Sequence, residues 1–200
     1  MNKFITQKSF DIFYLRFVLK FLIGELGYRD ILSFFDFPEN DFFSIADYGS
    51  GSGYYSLKFV KINNCRVLYA LDIDDAKLDI LLKKSAKKKI SHKIEIIDAD
   101  LSIETRLKQE SVNFGICSFL LNEFDYENKK KFLSLCSKSL VSGAKLYISD
   151  YIDCPIVKKL GIKNPLTKEK FIELFSNFSE FEIYNTVTNK YSQSYFIKKK

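Results

Sequence analysis

Residues 42–53 read FFSIADYGSGSG, an apolar run that ends at Asp47 and leads into glycines at positions 49, 51 and 53. The whole chain contains only 8 glycines, so this spacing marks a turn with a specific backbone requirement. The apolar run is typical of a buried strand, and a segment with helical periodicity follows the turn. Glycines there allow a tight turn and let the backbone approach a ligand closely. The stretch predicts a strand–turn–helix unit whose turn is a flexible loop, a phosphate cradle or a cofactor site.

Apolar runs and helical patterns continue to alternate along the chain. Strands that alternate with helices predict a parallel sheet covered on both faces. Near the end, two β-rich runs flank Asn189 and Lys190 and predict an antiparallel hairpin. The predicted strands are 42–48, 66–72, 93–99, 111–120, 144–151, 179–188 and 190–198, and the predicted helices between them are 54–62, 74–89, 104–108, 127–140 and 167–178.

The residues before the first strand form a predicted helical cap. Apolar side chains recur at helical spacing over 10–23, and Gly24 and Gly27 are interpreted as the end of that helix. A second short helix is predicted over 29–37, because a proline follows it. No repeat or low-complexity linker divides the chain. We therefore predict a single domain, 1–200, made of the cap 1–41 and the α/β core 42–200.

The net charge of +6 comes mainly from lysine. Clustered lysines are the electrostatic footprint of a nucleic-acid-binding surface, but aromatic and arginine side chains are not interleaved with them here. A solvated helix face and tail is therefore the favoured interpretation, with nucleic-acid binding as the alternative. The clusters are Lys83, Lys84 and Lys87 to Lys89, then Lys129 to Lys131, then Lys198 to Lys200.

Cysteine spacing and apolar patterning indicate where the protein works. The four cysteines are far apart and form no metal-ligand motif, which favours free thiols in a reducing compartment. Asp11, Arg16 and Lys20 interrupt the apolar N-terminal stretch, so we predict no membrane span and no signal peptide. The expected location is the cytoplasm, and no metal site is predicted.

Three kinds of cofactor turn compete for the glycine segment. A phosphate-binding P-loop requires Gly-Lys-Ser/Thr at the start of the helix, but Tyr54 follows Gly53. A dinucleotide-binding turn has the pattern G-x-G-x-x-G, which would require glycine at position 54. This weakens the dinucleotide interpretation and leaves S-adenosylmethionine as the third candidate.

At this point the chain resembles the class I, Rossmann-like S-adenosylmethionine-dependent methyltransferases. Their first motif is an acidic residue followed by G-x-G-x-G, which DYGSGSG matches position for position. Further similar segments follow in the same order, namely ALDID, IIDAD, CSFLLNEF and LVSGAKLYISD. The last of these has Ser142 and Ala144 where the family has Pro and Gly. The resemblance spans about 42–199 and implies a three-layer, seven-stranded, mostly parallel sheet with one antiparallel strand.

The resemblance also implies a set of site residues. Asp72 would accept hydrogen bonds from the ribose hydroxyls, as an acid at the end of the second strand does in nucleotide-binding folds. Asp98 and Ala99 would flank the adenine. The implied cofactor-binding residues are Asp47, Gly49, Ser50, Gly51, Gly53, Asp72, Ile73, Asp98, Ala99 and Ser118.

The acceptor side is predicted from residues that follow the fourth and fifth strands. Glu123 is the first candidate for a base or substrate orienter, and Asn122 is its neighbour. Phe13, Tyr14 and Phe17 form an aromatic stripe that either closes the pocket or packs into a core. The predicted catalytic residues are Glu123 and Asn122, and the predicted substrate pocket is Tyr14, Phe119, Asp150 and Tyr151.

The leading hypothesis is methyl transfer from S-adenosylmethionine to a small-molecule acceptor by a monomer or homodimer. The compact length and the aromatic N-terminal cap favour it. One alternative is an RNA or protein methyltransferase that uses the lysine-rich surface. Another is a non-catalytic partner subunit that keeps the fold, and a nicotinamide-dependent reductase is a third.

Overall fold

The computed structural model describes the backbone of residues 7–200 and the side chains from Tyr14 onward. Seven strands alternate with helices as the sequence predicts. Two short 3₁₀ turns, Ser91–Lys93 and Leu121–Glu123, lie in the connections. The helices are α1 Gln7–Phe34, α2 Ser56–Phe59, α3 Asp75–Lys87, α4 Tyr126–Ser139, α5 Pro155–Lys159 and α6 Lys168–Ser176. The strands are β1 Phe43–Tyr48, β2 Cys65–Asp72, β3 Ile94–Asp98, β4 Val112–Ser118, β5 Leu140–Tyr151, β6 Phe181–Thr188 and β7 Ser192–Lys199.

The seven strands form one sheet in the order β3-β2-β1-β4-β5-β7-β6. Strand β7 runs antiparallel to both of its neighbours, and the other adjacent pairs are parallel. This confirms the predicted mostly parallel sheet with one antiparallel strand. The strand order reverses beside β1, so the carboxyl ends of β1 and β4 diverge into a crevice where ligands bind in open α/β sheets.

Apolar layers cover both faces of the sheet. On one face, Ala46 and Tyr48 of β1 pack in a buried cluster with Phe132 of α4 and Leu174 of α6. On the other face, Ile45 lies in a second cluster with side chains of α1, α2 and α3. All six residues of β1 are buried, as expected for a central strand covered on both sides. The arrangement confirms the three-layer expectation.

The N-terminal cap is one helix rather than two, which corrects the sequence prediction. Helix α1 continues through Gly24 and Gly27 to Phe34. Its glycines mark close packing: a Cβ on Gly27 would lie 2.3 Å from the Tyr147 hydroxyl and 2.6 Å from that of Tyr55. The Tyr55 hydroxyl also donates to the Gly24 carbonyl at 3.3 Å. The two glycines therefore let the helix backbone lie against tyrosines instead of ending the helix.

Gly27→Ala is expected to destabilise the protein by about 1–3 kcal/mol, the usual cost of overpacking a core. Gly24→Ala is the matched control in the same helix, because its Cβ would lie 3.1 Å from an edge carbon of the Tyr54 ring, a milder contact. Urea unfolding of both variants measures the difference. Equal stability of the two variants would contradict the close-packing interpretation.

Two further sequence predictions differ from the structure. The predicted helix 104–108 is absent, because Asp100 Oδ1 accepts from the backbone and hydroxyl of Ser102 at 2.9 and 2.6 Å and Arg106 has φ +56°. Local bonds of this kind compete with helix formation, and positive φ ends it. The helix predicted over 54–62 shortens to the four residues of α2. Within the described residues, no helix is long and apolar enough to cross a membrane.

Candidate active site

The glycine turn is fixed to the carboxyl end of β2. The backbone N–H groups of Gly49 and Ser50 both donate to the Leu71 carbonyl at 2.8 Å, and Gly53 donates to the Ser50 carbonyl at 2.9 Å. The three glycines of the turn have φ values of +74°, +51° and +84°, a region that L side chains rarely adopt. The alternating glycines therefore follow from the backbone path, and the prediction of a tight turn is confirmed.

Gly51 and Gly53 face different surroundings. A Cβ on Gly53 would lie 2.3 Å from Leu81 Cδ1, so this glycine lets α3 pack against the turn. A Cβ on Gly51 would meet nothing nearer than Lys77 Cδ at 3.8 Å. Gly53 is thus required by packing within the protein, whereas Gly51 borders open space at the crevice. That space is the part of the turn available to a ligand.

Asp72 is held beside the turn at the end of β2. One carboxylate oxygen accepts from the Gly51 N–H at 2.7 Å, and the other accepts from the Asp74 N–H at 3.0 Å. Asp98 lies opposite Asp72 in the β2–β3 register, and the Ala99 N–H donates to the Asp72 carbonyl at 3.0 Å. Asp98 is exposed and Ala99 is buried. The structure therefore brings these three predicted residues together at one edge.

Asp47 is buried beneath the turn and bound to the start of α2. Its Oδ2 accepts from the Ser56 hydroxyl at 2.6 Å and from the Ser56 N–H at 3.0 Å. Burial raises the pKa of Asp47 to about 6, although both bonds from Ser56 favour the ionised form. The hydrogen bonds of Asp47 therefore stabilise the fold, because they hold the glycine turn against the helix that follows it.

The raised pKa of Asp47 makes stability depend on pH. Between its ordinary pKa of 3.8 and the folded value of about 6, the folded protein holds a proton that the unfolded chain releases. Stability from this group is therefore lost as pH rises through that window. We expect wild type to lose about 3 kcal/mol relative to Asp47→Asn between roughly pH 4 and 6. Urea unfolding across this range measures it, and parallel profiles for the two proteins would contradict it.

Asn122 and Asp150 connect the ends of β4 and β5. The Asn122 backbone N–H donates to Asp150 Oδ2 at 2.8 Å and its side-chain Nδ2 donates to Oδ1 at 2.9 Å. The Tyr151 N–H also donates to Oδ1, at 2.7 Å. Both Asn122 and Asp150 are buried, and burial raises the pKa of Asp150 to about 6. Asp150 therefore fixes the Asn122 side chain, and the Asn122 amide oxygen makes no hydrogen bond within the described residues.

Lys129 is buried behind this pair, although the sequence suggested a solvated lysine cluster. Its ammonium donates to the Phe124 carbonyl at 2.5 Å and to the Asn164 carbonyl at 3.2 Å. Lys129 and Asp150 both line a cavity of about 10 Å³, and burial lowers the pKa of Lys129. That volume is close to what a single water molecule needs. Lys129 thus supports the loop after β4 from inside the protein.

An aromatic pair, Phe119 and Tyr151, lies at the end of the edge where the acceptor side is predicted. The two rings are 4.7 Å apart between centroids, and both residues are buried. Leu19 and Ile23 of α1 pack in the same apolar cluster. Phe119 has φ +58°, so the chain turns sharply as it leaves β4. Helix α1 therefore lies across the carboxyl edge of the sheet.

The remaining predicted acceptor residues are less enclosed. Tyr14 is 60% exposed and Phe17 is 64% exposed, while the Phe13 side chain lies outside the described residues. Glu123 ends the 3₁₀ turn after β4 and is exposed, as is Ile73 after β2. The roles assigned to these side chains stay predictions. In the part of the chain with described side chains, no group of His, Cys, Asp and Glu could hold a metal ion.

Two buried hydroxyls test whether the edge fits S-adenosylmethionine. Among the described residues, three buried side-chain oxygens lack a hydrogen-bond partner: Ser50 Oγ in the glycine turn, Ser118 Oγ at the end of β4 and, away from this edge, the Tyr195 hydroxyl on β7. Buried polar groups are normally paired, so such orphans indicate a ligand or water that completes them. Ser50 follows β1 and Ser118 ends β4, the two strands that flank the crevice. The polar groups present therefore fit a ligand with several hydroxyl and amino groups, as this cofactor has.

Residues 45–143 match a family model described as a methyltransferase domain. This match contains the glycine turn, both strand-end acids, Ser118 and Asn122. Over these residues the chain belongs to the methyltransferase-domain family.

Solved structures share the fold of this methyltransferase. The pyocyanin biosynthetic protein PhzM has a TM-score of 0.73 at 13% identity, covering 98% of this chain and 60% of that one. Geranyl diphosphate C-methyltransferase from Streptomyces coelicolor A3(2) has a TM-score of 0.67 at 9% identity, with coverages of 79% and 70%. A SAM-dependent methyltransferase from Methanosarcina mazei has 0.68 at 16% identity, with 80% and 92%. The methyltransferase thus spans 60% of the length of PhzM. No curated protein sequence matches it.

Several residues of the methyltransferase site were not predicted from sequence. Contacts between distant segments bring in four of them: Ser56, Lys77, Leu120 and Lys129. For example, Leu120 lies 3.1 Å from the position that a Cβ on Gly49 would occupy. Lys20 is another, and its ammonium lies 5.3 Å from the Phe119 ring centroid. A sequence signal existed for Lys20, because with Arg16 it interrupts an apolar helix at i, i+4 spacing.

Proposed function

We propose that this chain is an S-adenosylmethionine-dependent methyltransferase that acts on a small-molecule acceptor with an apolar body. The observation that carries the proposal is the packing of Leu19 and Ile23 onto the aromatic pair at the carboxyl edge. Binding sites for small molecules are mostly apolar with a few placed polar groups. The aromatic pair and α1 supply the apolar part here, and the Asn122 amide supplies a fixed polar group.

Charge at the edge argues against a nucleic-acid acceptor. The side chains that rim it include three carboxylates, those of Asp72, Asp98 and Glu123, which outnumber the two ammonium groups there, those of Lys20 and Lys77. Acidic groups repel a polyanion, whereas nucleic-acid-binding surfaces are basic. Lysines of α3 such as Lys83 and Lys87 are exposed, but they follow the acidic start of that helix and lie toward its far end. A small acceptor is the better match to this charge pattern.

The cofactor side is proposed to consist of the glycine turn and the strand-end acids. Asp72 would accept from the ribose hydroxyls, Asp98 and Ala99 would flank the adenine, and Ser50 and Ser118 would pair with its polar groups. Ile73 and Gly49 would contribute contact surface. Asp47 would act by holding the turn in place through Ser56. Bound S-adenosylmethionine supplies a methyl group that is already activated by its sulfonium.

The chain's own contribution to the reaction is positioning. Holding reactants at near-attack distance can supply roughly 7–11 kcal/mol of the barrier reduction. Asp150 fixes Asn122 through two hydrogen bonds, so the amide oxygen can orient a hydroxyl or amine of the acceptor. Glu123 follows directly and is exposed, and we propose that it takes the proton that the acceptor gives up. General bases of this kind contribute about 10²–10⁴-fold.

The experiment that tests this function uses methyl-labelled S-adenosylmethionine and a cell extract divided into metabolite, RNA and protein fractions. We expect label to accumulate in the metabolite fraction with wild type and not with the Gly51→Val variant. Neighbouring structures are consistent with that outcome, since their names include a pyocyanin biosynthetic protein and a geranyl diphosphate methyltransferase. Label found only in RNA or protein would overturn the proposal.

A further inference from the structure

Lys20 is a cation without a carboxylate partner at the acceptor side of the edge. Its ammonium lies over the Phe119 ring, 5.3 Å from the centroid. Among the described side chains, no Asp or Glu oxygen comes within 4.0 Å of it and none of its N–H groups makes a hydrogen bond. An ammonium has three donors and no acceptor, so the contact with the ring leaves all three unpaired. The ammonium can therefore still donate hydrogen bonds to an anionic partner.

Three carboxylates lie near Lys20, those of Asp72, Asp150 and Glu123, and among the described side chains none of them forms an ion pair with its ammonium. Asp72 accepts from Gly51 and Asp74, and Asp150 accepts from Asn122 and Tyr151. Each is close enough to Lys20 to favour its charged form, yet neither forms an ion pair with it. These acids belong to the supports of the turn and of the β4–β5 connection. They do not supply the partner that the ammonium lacks.

The position of Lys20 is set by the packing of α1. Leu19 precedes it and Ile23 lies one turn later, and both are buried against the aromatic pair. Arg16, one turn earlier, donates from Nε to the Leu160 carbonyl and holds the same stretch of helix. Although Lys20 as a residue is exposed, partial burial of its ammonium lowers the pKa of Lys20. The helix therefore presents a partly shielded cation to the acceptor side.

We infer that Lys20 binds an anionic group, a carboxylate or phosphate, on an acceptor whose apolar body lies against the aromatic pair. This inference rests on the proposed function and adds a substrate class to it. A charge-assisted bond would replace the contact between the ammonium and the ring. Hydrogen bonds to charged groups are in general stronger than cation–π contacts, so the exchange favours an anion.

The test uses protein saturated with S-adenosylhomocysteine and a panel of aromatic and isoprenoid compounds. Each compound is present as a carboxylate, a phosphate monoester and a neutral amide or alcohol, so the arms separate the two anion types. We expect the compounds that bind to be anionic. For these, Lys20→Met is expected to weaken binding by about 10- to 100-fold, the loss of one charge-assisted hydrogen bond.

Two variants control for charge and shape. Lys20→Arg retains the cation and should keep most of the affinity, while Lys83→Met removes an equal charge from an exposed site on α3 and should change nothing. Affinity for S-adenosylhomocysteine checks that each variant is folded. Equal binding of neutral and anionic members, unchanged binding by Lys20→Met, or no anionic binder at all would overturn the inference. Failure to bind S-adenosylhomocysteine would instead overturn the proposed function.

Discussion

Gly51→Val is expected to abolish S-adenosylmethionine binding while the protein stays folded. The valine side chain would project into the open space beside the turn, where the nearest protein atom is Lys77 Cδ at 3.8 Å from the Cβ position. The fold therefore accommodates the valine side chain, but a bound cofactor would collide with it. Isothermal titration calorimetry with S-adenosylmethionine and S-adenosylhomocysteine measures the loss.

A matched control distinguishes the loss of space for the cofactor from the cost of placing a side chain in an unfavourable backbone conformation. A side chain at φ +51° costs about 1–2 kcal/mol in folding because the left-handed region is unfavourable for L residues. Gly143 has φ +78° with nothing within 4 Å of a Cβ, and it lies near the amino end of β5, away from the site. Gly143→Val should lose similar stability and keep full cofactor affinity. Tight binding by Gly51→Val would refute the role assigned to the turn.

Asp72→Ala is expected to weaken cofactor binding by about 1–3 kcal/mol, or roughly 5- to 150-fold. The substitution would leave the ribose hydroxyls without their acceptor. It would also free the Gly51 N–H, which Asp72 Oδ2 holds at 2.7 Å, and so loosen the turn. Both effects act in the same direction. Calorimetry with S-adenosylhomocysteine gives the affinity without turnover.

Asp75→Ala is the control for Asp72→Ala. It removes the same charge at an exposed position in the first turn of α3, so any long-range electrostatic effect should be similar. We expect its affinity to stay within about twofold of wild type, since exposed charges are well screened in water. Unchanged affinity in Asp72→Ala would contradict the proposal that Asp72 binds the ribose hydroxyls. Equal losses in the two variants would show a general charge effect.

The sheet and the glycine turn were predictable because their signals are local. A fully buried strand such as β1 reads as a continuous apolar run, and the backbone path after it requires the positive φ values that its glycines adopt. The strand-end acids followed from the same logic, since Asp72 and Asp98 directly end apolar runs. Position along a strand therefore sufficed to place them at one edge.

The supports of the site were not predictable because they depend on contacts between distant segments. The sequence predicted that Gly27 ends the helix, but in the structure Tyr147 of β5 packs against it and the helix continues. The sequence predicted a solvated Lys129, but its ammonium is buried and donates to the carbonyls of Phe124 and Asn164. Lys20 appeared only as an interruption of an apolar helix. In each case the partner comes from another element of the fold, and one sequence does not show which segments meet.

The central claim is that the turn at Gly49, Gly51 and Gly53 binds S-adenosylmethionine. The most direct test is calorimetry of the wild-type protein with S-adenosylmethionine, S-adenosylhomocysteine and NAD, run side by side under the same conditions. Saturable one-to-one binding of the first two with no binding of NAD is the predicted result. Binding of NAD in preference to both, or no binding of either S-adenosyl compound, would contradict the account.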